Sequence, residues 1–154
     1  MVGIPVIYLE DIAEKLEETS DFWTQYLDLT TGEIVELFDE NNLEYAEDIE
    51  KNKELEIKVK DSDVYIRLPN KYEIYEYKIM GDFAETIPDP YKREKLFRAL
   101  NGKKPFRHFK DTLFYNDLDQ AYYKFRFQAF IEIAREWCDN NEIPYKIREN
   151  QKKE

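Results

Sequence analysis

The stretch from Asn116 to Asn140, NDLDQAYYKFRFQAFIEIAREWCDN, reads as one helix that is apolar around most of its circumference. A helix of that kind cannot lie at the edge of a fold, so it constrains where every other element goes. At 100° per residue, Leu118, Tyr122, Phe125, Ala129 and Ile133 form one stripe, and Tyr123, Phe127, Phe130, Ala134 and Trp137 form the next. Lys124, Gln128, Glu132, Arg135 and Asp139 are left as a narrow polar strip. Asp117 with Gln120 three residues on resembles a capping box at the start, and Asn140-Asn141 ahead of Pro144 marks the stop. The expectation is a central helix over 117–140, roughly 36 Å long. Leu118, Phe125, Ala129, Phe130 and Ile133 are expected to be almost wholly buried.

Before that helix the pattern changes along the chain. Leu9, Ile12, Ala13 and Leu16 give the i, i+3, i+4, i+7 signature of an amphipathic helix. The segment 22–39 then reads as a hairpin around Thr30-Thr31-Gly32, with Gly32 suited to a positive φ. A second hairpin is read over 54–68, from the alternation of Leu55, Ile57 and Val59 and then of Val64, Ile66 and Leu68 about Asp61-Ser62. The acidic stretch 41–52 is left as a short helix or a loop. Asn70 with Glu73 forms a capping box leading into Ile74, Tyr77, Met80, Ala84 and Ile87. Asp89-Pro90 opens the next helix and Gly102 stops it, and Pro105 opens another through Phe106, Phe109 and Leu113. Residues 144–148 read as a short edge strand or arm. Strands early and helices late are the α+β signature: a small antiparallel sheet packed on a C-terminal set of helices. The expected organisation is a single globular domain over 1–148, with 149–154 as a frayed polar tail.

Charge divides the chain more sharply than its total of −11 suggests. Residues 1–91 hold 24 Asp/Glu against 8 Lys/Arg, whereas residues 92–154 hold 10 against 15. The single cysteine, Cys138, excludes an intrachain disulfide and suits a reducing compartment. With no basic-then-apolar leader and no run of about 18 apolar residues, a soluble cytoplasmic protein is expected, with no membrane contact.

From Gly102 onward, GKKPFRHFKDTL followed by YYKFRFQAFIEIAREWCDNNEI resembles the C-terminal signature of a bacterial uncharacterised protein family, number 0158 in the UPF series. The hairpin YLDLTTGEIV and the segment IMGDF are similar to that family too, so the resemblance covers most of residues 22–143. The acidic stretch from Asn41 to Lys53 lies outside it. The resemblance implies an intracellular domain with no assigned activity and no catalytic residues to carry over.

The residues themselves exclude most catalytic signatures. One His and one Cys cannot make a zinc site of Cys/His type, and four glycines, Gly3, Gly32, Gly81 and Gly102, write no phosphate-binding loop. No cofactor or metal motif is present. Two features remain. Lys103, Lys104, Arg107, His108 and Lys110 interleave with Phe106 and Phe109, the mixture that contacts phosphates and stacks bases. Arg126 falls in the middle of an apolar arc, where a guanidinium needs a partner. That partner is either a carboxylate from the acidic N-terminal half or an anionic ligand in a pocket shared with the Tyr122 hydroxyl. The function is therefore unassigned by sequence, and three readings follow in order. The first is a small acidic, non-catalytic protein-interaction domain with a protein partner or self-association. Next comes a nucleic-acid or phosphate-ligand module using 103–110, binding weakly. The third is an enzyme with an anion pocket at Arg126.

Overall fold

The computed structural model describes residues 5–148. They fall into two compact units: unit 1 runs up to Ile74 and resumes at Ile133, and unit 2 is Tyr75–Glu132. The fold class is α+β, with a three-stranded antiparallel sheet in unit 1 and helices dominating the C-terminal half.

Unit 1 opens with α1 (Leu9–Leu16), which buries Leu9, Ile12, Ala13 and Leu16 as its spacing predicts. Strands β1 (Trp23–Asp28) and β2 (Ile34–Phe38) form the predicted hairpin, pairing from Trp23 with Phe38 to Leu27 with Ile34. The turn is made by Asp28, whose carboxylate accepts from the Thr30 amide and hydroxyl, and by Gly32 at φ +80°. A methyl group on Gly32 would meet Pro5 Cβ at 3.2 Å, so the turn needs both the positive φ and the missing side chain.

The second hairpin is not formed. Its first half is helix α2 (Ile49–Asp61), and only Tyr65–Arg67 is a strand, β3, pairing antiparallel with β1 so that the sheet order is β2-β1-β3. The alternation of Leu55, Ile57 and Val59 conceals a helical spacing. Asn52, Leu55, Glu56 and Val59 are the less exposed positions, at i, i+3, i+4 and i+7, while Ile57 is 61% exposed. Asp48 caps α2 by accepting from the Lys51 amide, and Glu56 pairs with Lys60 one turn on. The helix then serves the sheet through Asn52. Its side-chain Oδ1 accepts from Phe38 N at 2.8 Å and its Nδ2 donates to Phe38 O at 3.1 Å, so one amide stands in for a strand at the end of β2. Ahead of α2 the acidic stretch makes a 3-10 turn over Glu40–Tyr45.

The predicted helix after Asn70 is broken in two. The capping box forms as expected, Asn70 Oδ1 taking the Glu73 amide and Glu73 Oε1 taking the Asn70 amide, both at 2.9 Å. Yet α3 (Lys71–Ile74) ends after one turn, because Tyr75 adopts φ +54° and sends the chain into α4 (Glu76–Glu85). The arm at 144–148 makes a single parallel bridge, Tyr8 with Lys146. Arg148 fixes it, its guanidinium on Asp11 and over the Tyr8 ring. The expected frayed tail, 149–154, lies outside the described residues.

Unit 2 consists of α4, α5 (Pro90–Leu100), α6 (Pro105–Tyr115) and the first part of α7 (Asp119–Asn140), whose last two turns belong to unit 1. Asp89 caps α5 ahead of Pro90, and Pro105 opens α6, as read from sequence. Asp117 does not cap α7. It takes φ +56° and closes α6, with the Leu118 amide reaching back to Leu113 O at 2.9 Å, which pulls the start of α7 two residues later. The long helix is also less enclosed than expected. Phe130 is buried, with Tyr122, Ile131, Ala134 and Cys138, but Leu118, Phe125, Ala129 and Ile133 keep part of their surface, and Tyr123 is 46% exposed. The buried positions follow one side of the helix, so α7 has a single inward stripe where composition suggested two.

Candidate functional site

Unit 2 is built around Tyr122. Its ring is met edge-on by Phe83 of α4 at 5.3 Å and by Phe109 of α6 at 5.4 Å, and its hydroxyl donates to Glu76 Oε2 at 2.7 Å. Glu76 is the first residue of α4, the position that the break at Tyr75 creates. Arg126, one turn beyond Tyr122, donates Nε to the same Oε2 at 2.7 Å and Nη2 to Oε1 at 3.3 Å, and stacks its guanidinium over Phe130 at 4.5 Å. The partner that sequence demanded for Arg126 is thus a carboxylate from the acidic N-terminal half. Burial pushes the Glu76 carboxyl up, but the bonds from Arg126 and Tyr122, with the charges of Arg126 and Lys110, outweigh it and leave the pKa lowered. Burial and the Glu76 charge together hold the Tyr122 phenol far above its ordinary value. The arrangement fixes a helix start and a helix flank to each other by a charge-assisted clamp.

The basic segment lies elsewhere in the same unit. Lys103 and Lys104 precede α6, Lys104 at φ +47°, while Arg107, His108 and Lys110 are on the helix, and all five are exposed. Phe109 and Leu113 make the buried face of α6. By helical angle, Phe106, Lys110, Phe114 and Arg107 then share an arc of about 100°. Phe106 is 45% exposed, with Tyr77 stacked against it at 6.5 Å, and Phe114 is 67% exposed, so the arc alternates cation and partly open aromatic. Among the described residues no hydrogen bond or ion pair engages the side chains of Lys103, Lys104 or Arg107.

His108 points to a third face. Together with Asp111, Thr112 and Tyr115 it lines a cleft of about 440 Å³, whose other wall is Lys95 and Arg98 of α5. Sequence reasoning named His108 but missed the cleft. Its signal was present, since His108, Asp111, Thr112 and Tyr115 recur at i, i+3, i+4 and i+7, a polar helix face opposite the apolar one. The structure therefore joins Arg126 to Tyr122, keeps Lys103, Lys104, Arg107 and Lys110 near one end and face of α6, and turns His108 away from them.

In unit 1, Cys138 is fully buried, and burial with the Asp139 charge pushes its thiol up to about 11, as befits a packing residue. A smaller cleft there, about 230 Å³, is bordered by the ion pair of Lys71 with Asp21. No helix among the described residues is long and apolar enough to cross a membrane.

The chain is thus an α+β protein that presents an exposed cationic and aromatic face on α6 and holds its inward arginine by a carboxylate of its own. It belongs to the uncharacterised protein family UPF0158, which it matches over residues 5–153. It is 32% identical over 73 residues to a UPF0158 protein of Pseudomonas aeruginosa, an overlap of 47% of this chain and 48% of that one. The match therefore spans about half the length of that relative. No solved structure matches the chain. The family has no assigned function, and nothing in these likenesses points to a specific activity.

Proposed function

We propose that the chain is a binding module for single-stranded nucleic acid, working in the cytoplasm, with α6 as its contact element. The observation that carries this reading is the arc of Phe106, Arg107, Lys110 and Phe114 on one exposed face, continued by Lys103 and Lys104 at the helix start. Cations meet successive phosphates and open rings stack on bases without regard to their identity, the combination that single-strand binders use. Unit 2 carries 11 Lys/Arg against 9 Asp/Glu, a net of +2, while the rest of the chain carries 12 against 25. Local attraction thus works against a repulsive whole, so binding is weak and steep in salt. With about three phosphates neutralised, log Kd should change with log salt by a slope near 2.

The test is fluorescence anisotropy of labelled single-stranded and duplex oligonucleotides between about 50 and 200 mM salt. Single strands should bind better than duplex, and Lys103→Glu with Arg107→Glu should weaken them at least about tenfold. Absence of single-strand binding at the lowest salt, or indifference to the double substitution, would remove the reading. The charge division supports a second one, in which the cationic helix docks an acidic protein surface, a second copy of this chain included. Light scattering at low and high salt separates it, since self-association would then fall as salt rises.

A further inference from the structure

The α5–α6 cleft contains a contradiction that its chemistry can resolve. Lys95, its ammonium over the Tyr91 ring at 4.5 Å, and Arg98 on the α5 wall face His108 on the α6 wall as a place for phosphate, yet Asp111 stands beside His108. A carboxylate there repels an anion unless the ligand also brings a hydrogen-bond donor. Two neighbouring donors of the α6 wall are already spent on the helix backbone. The Thr112 hydroxyl donates to His108 O at 2.8 Å, and the Asn116 amide donates to Thr112 O at 2.7 Å. Among the described residues Asp111 has no hydrogen-bond or ion-pair partner for its carboxylate, so it is the charged acceptor left open in the lining. Arg98 holds Glu94 at 3.0 Å, but its side chain is 74% exposed and such a pair is readily exchanged for phosphate. Tyr115, 82% exposed at the rim, offers a ring face that any base can cover. The volume, about 440 Å³, is in the range of small-ligand sites.

We infer that this cleft takes one ribonucleotide of the bound strand, with its phosphate on Lys95, Arg98 and His108, its 2′-hydroxyl on Asp111 and its base against Tyr115. The inference rests on the single-strand reading above and sharpens it from nucleic acid to RNA, because the 2′-hydroxyl is the donor that RNA has and DNA lacks.

The experiment titrates the full chain into labelled oligouridine of about ten nucleotides in three forms: ribose, 2′-deoxy and 2′-O-methyl. The methylated form keeps the oxygen and removes the donor. The ribose form should bind at least about tenfold tighter than either of the others, the effect of one hydrogen bond to a charged acceptor. Asp111→Ala should bring the three affinities together, with the deoxy strand bound as well as before or better once the negative charge is gone. Asp111→Asn, which keeps an acceptor oxygen, should retain part of the preference. Equal affinity of the wild-type chain for ribose and deoxy strands would overturn the inference while leaving single-strand binding standing. So would a preference for the ribose form that survives Asp111→Ala. If no strand binds at all, the single-strand reading falls and takes this inference with it.

Discussion

Replacing Arg126 by Met would remove both guanidinium bonds to Glu76 and leave the aliphatic stem against Phe130. The carboxylate that remains would keep only the Tyr122 hydroxyl. Breaking a fully buried pair by removing one partner costs about 3–5 kcal/mol. Here both side chains are 19% exposed, so water reaches the stranded acid and the expected loss is about 2–3 kcal/mol. For a chain of this length that corresponds to a fall in Tm of about 5–10 °C. Circular dichroism is the measurement to use, because unit 2 is helical while both tryptophans, Trp23 and Trp137, lie in unit 1. The deficit should also depend on pH. In the native protein the Glu76 pKa is lowered below 4.5, so its stabilisation is present above that value and is lost as pH falls through the folded pKa. Without Arg126 burial dominates and raises the same pKa. The variant is then relieved as pH falls, and its deficit should narrow between pH 7 and about 4. A loss below about 0.5 kcal/mol, or one that is constant with pH, would refute the account of this clamp.

Three further perturbations probe unit 1. Asn52→Ala should destabilise by about 1–3 kcal/mol in urea unfolding followed by tryptophan fluorescence, because it leaves both Phe38 backbone groups without their side-chain partner. Gly32→Ala should cost about 1 kcal/mol or more, combining the unfavourable φ with the close approach to Pro5, and Gly102→Ala, without a positive φ, should cost less. Cys138 should react with a thiol reagent at pH 8 far more slowly in the folded protein than in guanidinium, given its burial and a thiol held up to about 11.

Local chemistry made much of the fold legible. The Thr30-Thr31-Gly32 turn, the Asn70/Glu73 box and the Asp89-Pro90 start each depend on atoms a few residues apart, and each formed as read. The errors lie where two local signals compete for the same residues. Leu55, Ile57 and Val59 alternate as a strand would, but with Asp48 able to cap and Glu56 able to meet Lys60, the helical spacing of Leu55 and Val59 prevails. Asp117 carries the chemistry of a helix start, and the preceding helix uses it in a left-handed conformation to stop. Burial along α7 was overread for a related reason. An aromatic side chain at helical spacing says only that a face can be covered, and Tyr123 is left open.

At the site, sequence reasoning could state that Arg126 required a countercharge, but not which of 24 acids in residues 1–91 supplied it. That choice follows from the left-handed Tyr75, a single backbone torsion with no sequence signature, which makes Glu76 the first residue of a helix. Once Glu76 is spent on Arg126, the charge of unit 2 can be located. Lys78 pairs with Asp82 and Arg98 with Glu94, each within its own helix, and Arg126 is neutralised in the interior. Lys103, Lys104, Arg107 and Lys110 have no ion pair among the described residues, and neither do Lys92, Arg93, Lys95 and Lys124, so half of the unit's unpaired cations lie at the start of α6 and along one of its faces. An inward arginine and an outward basic segment looked like two candidate anion sites in the sequence. In the fold the first is satisfied by the chain itself through Glu76, whose charge also acts on Lys110 of the second. The exposed cations of α6 are left to solvent, which is the premise on which the proposed phosphate contact rests.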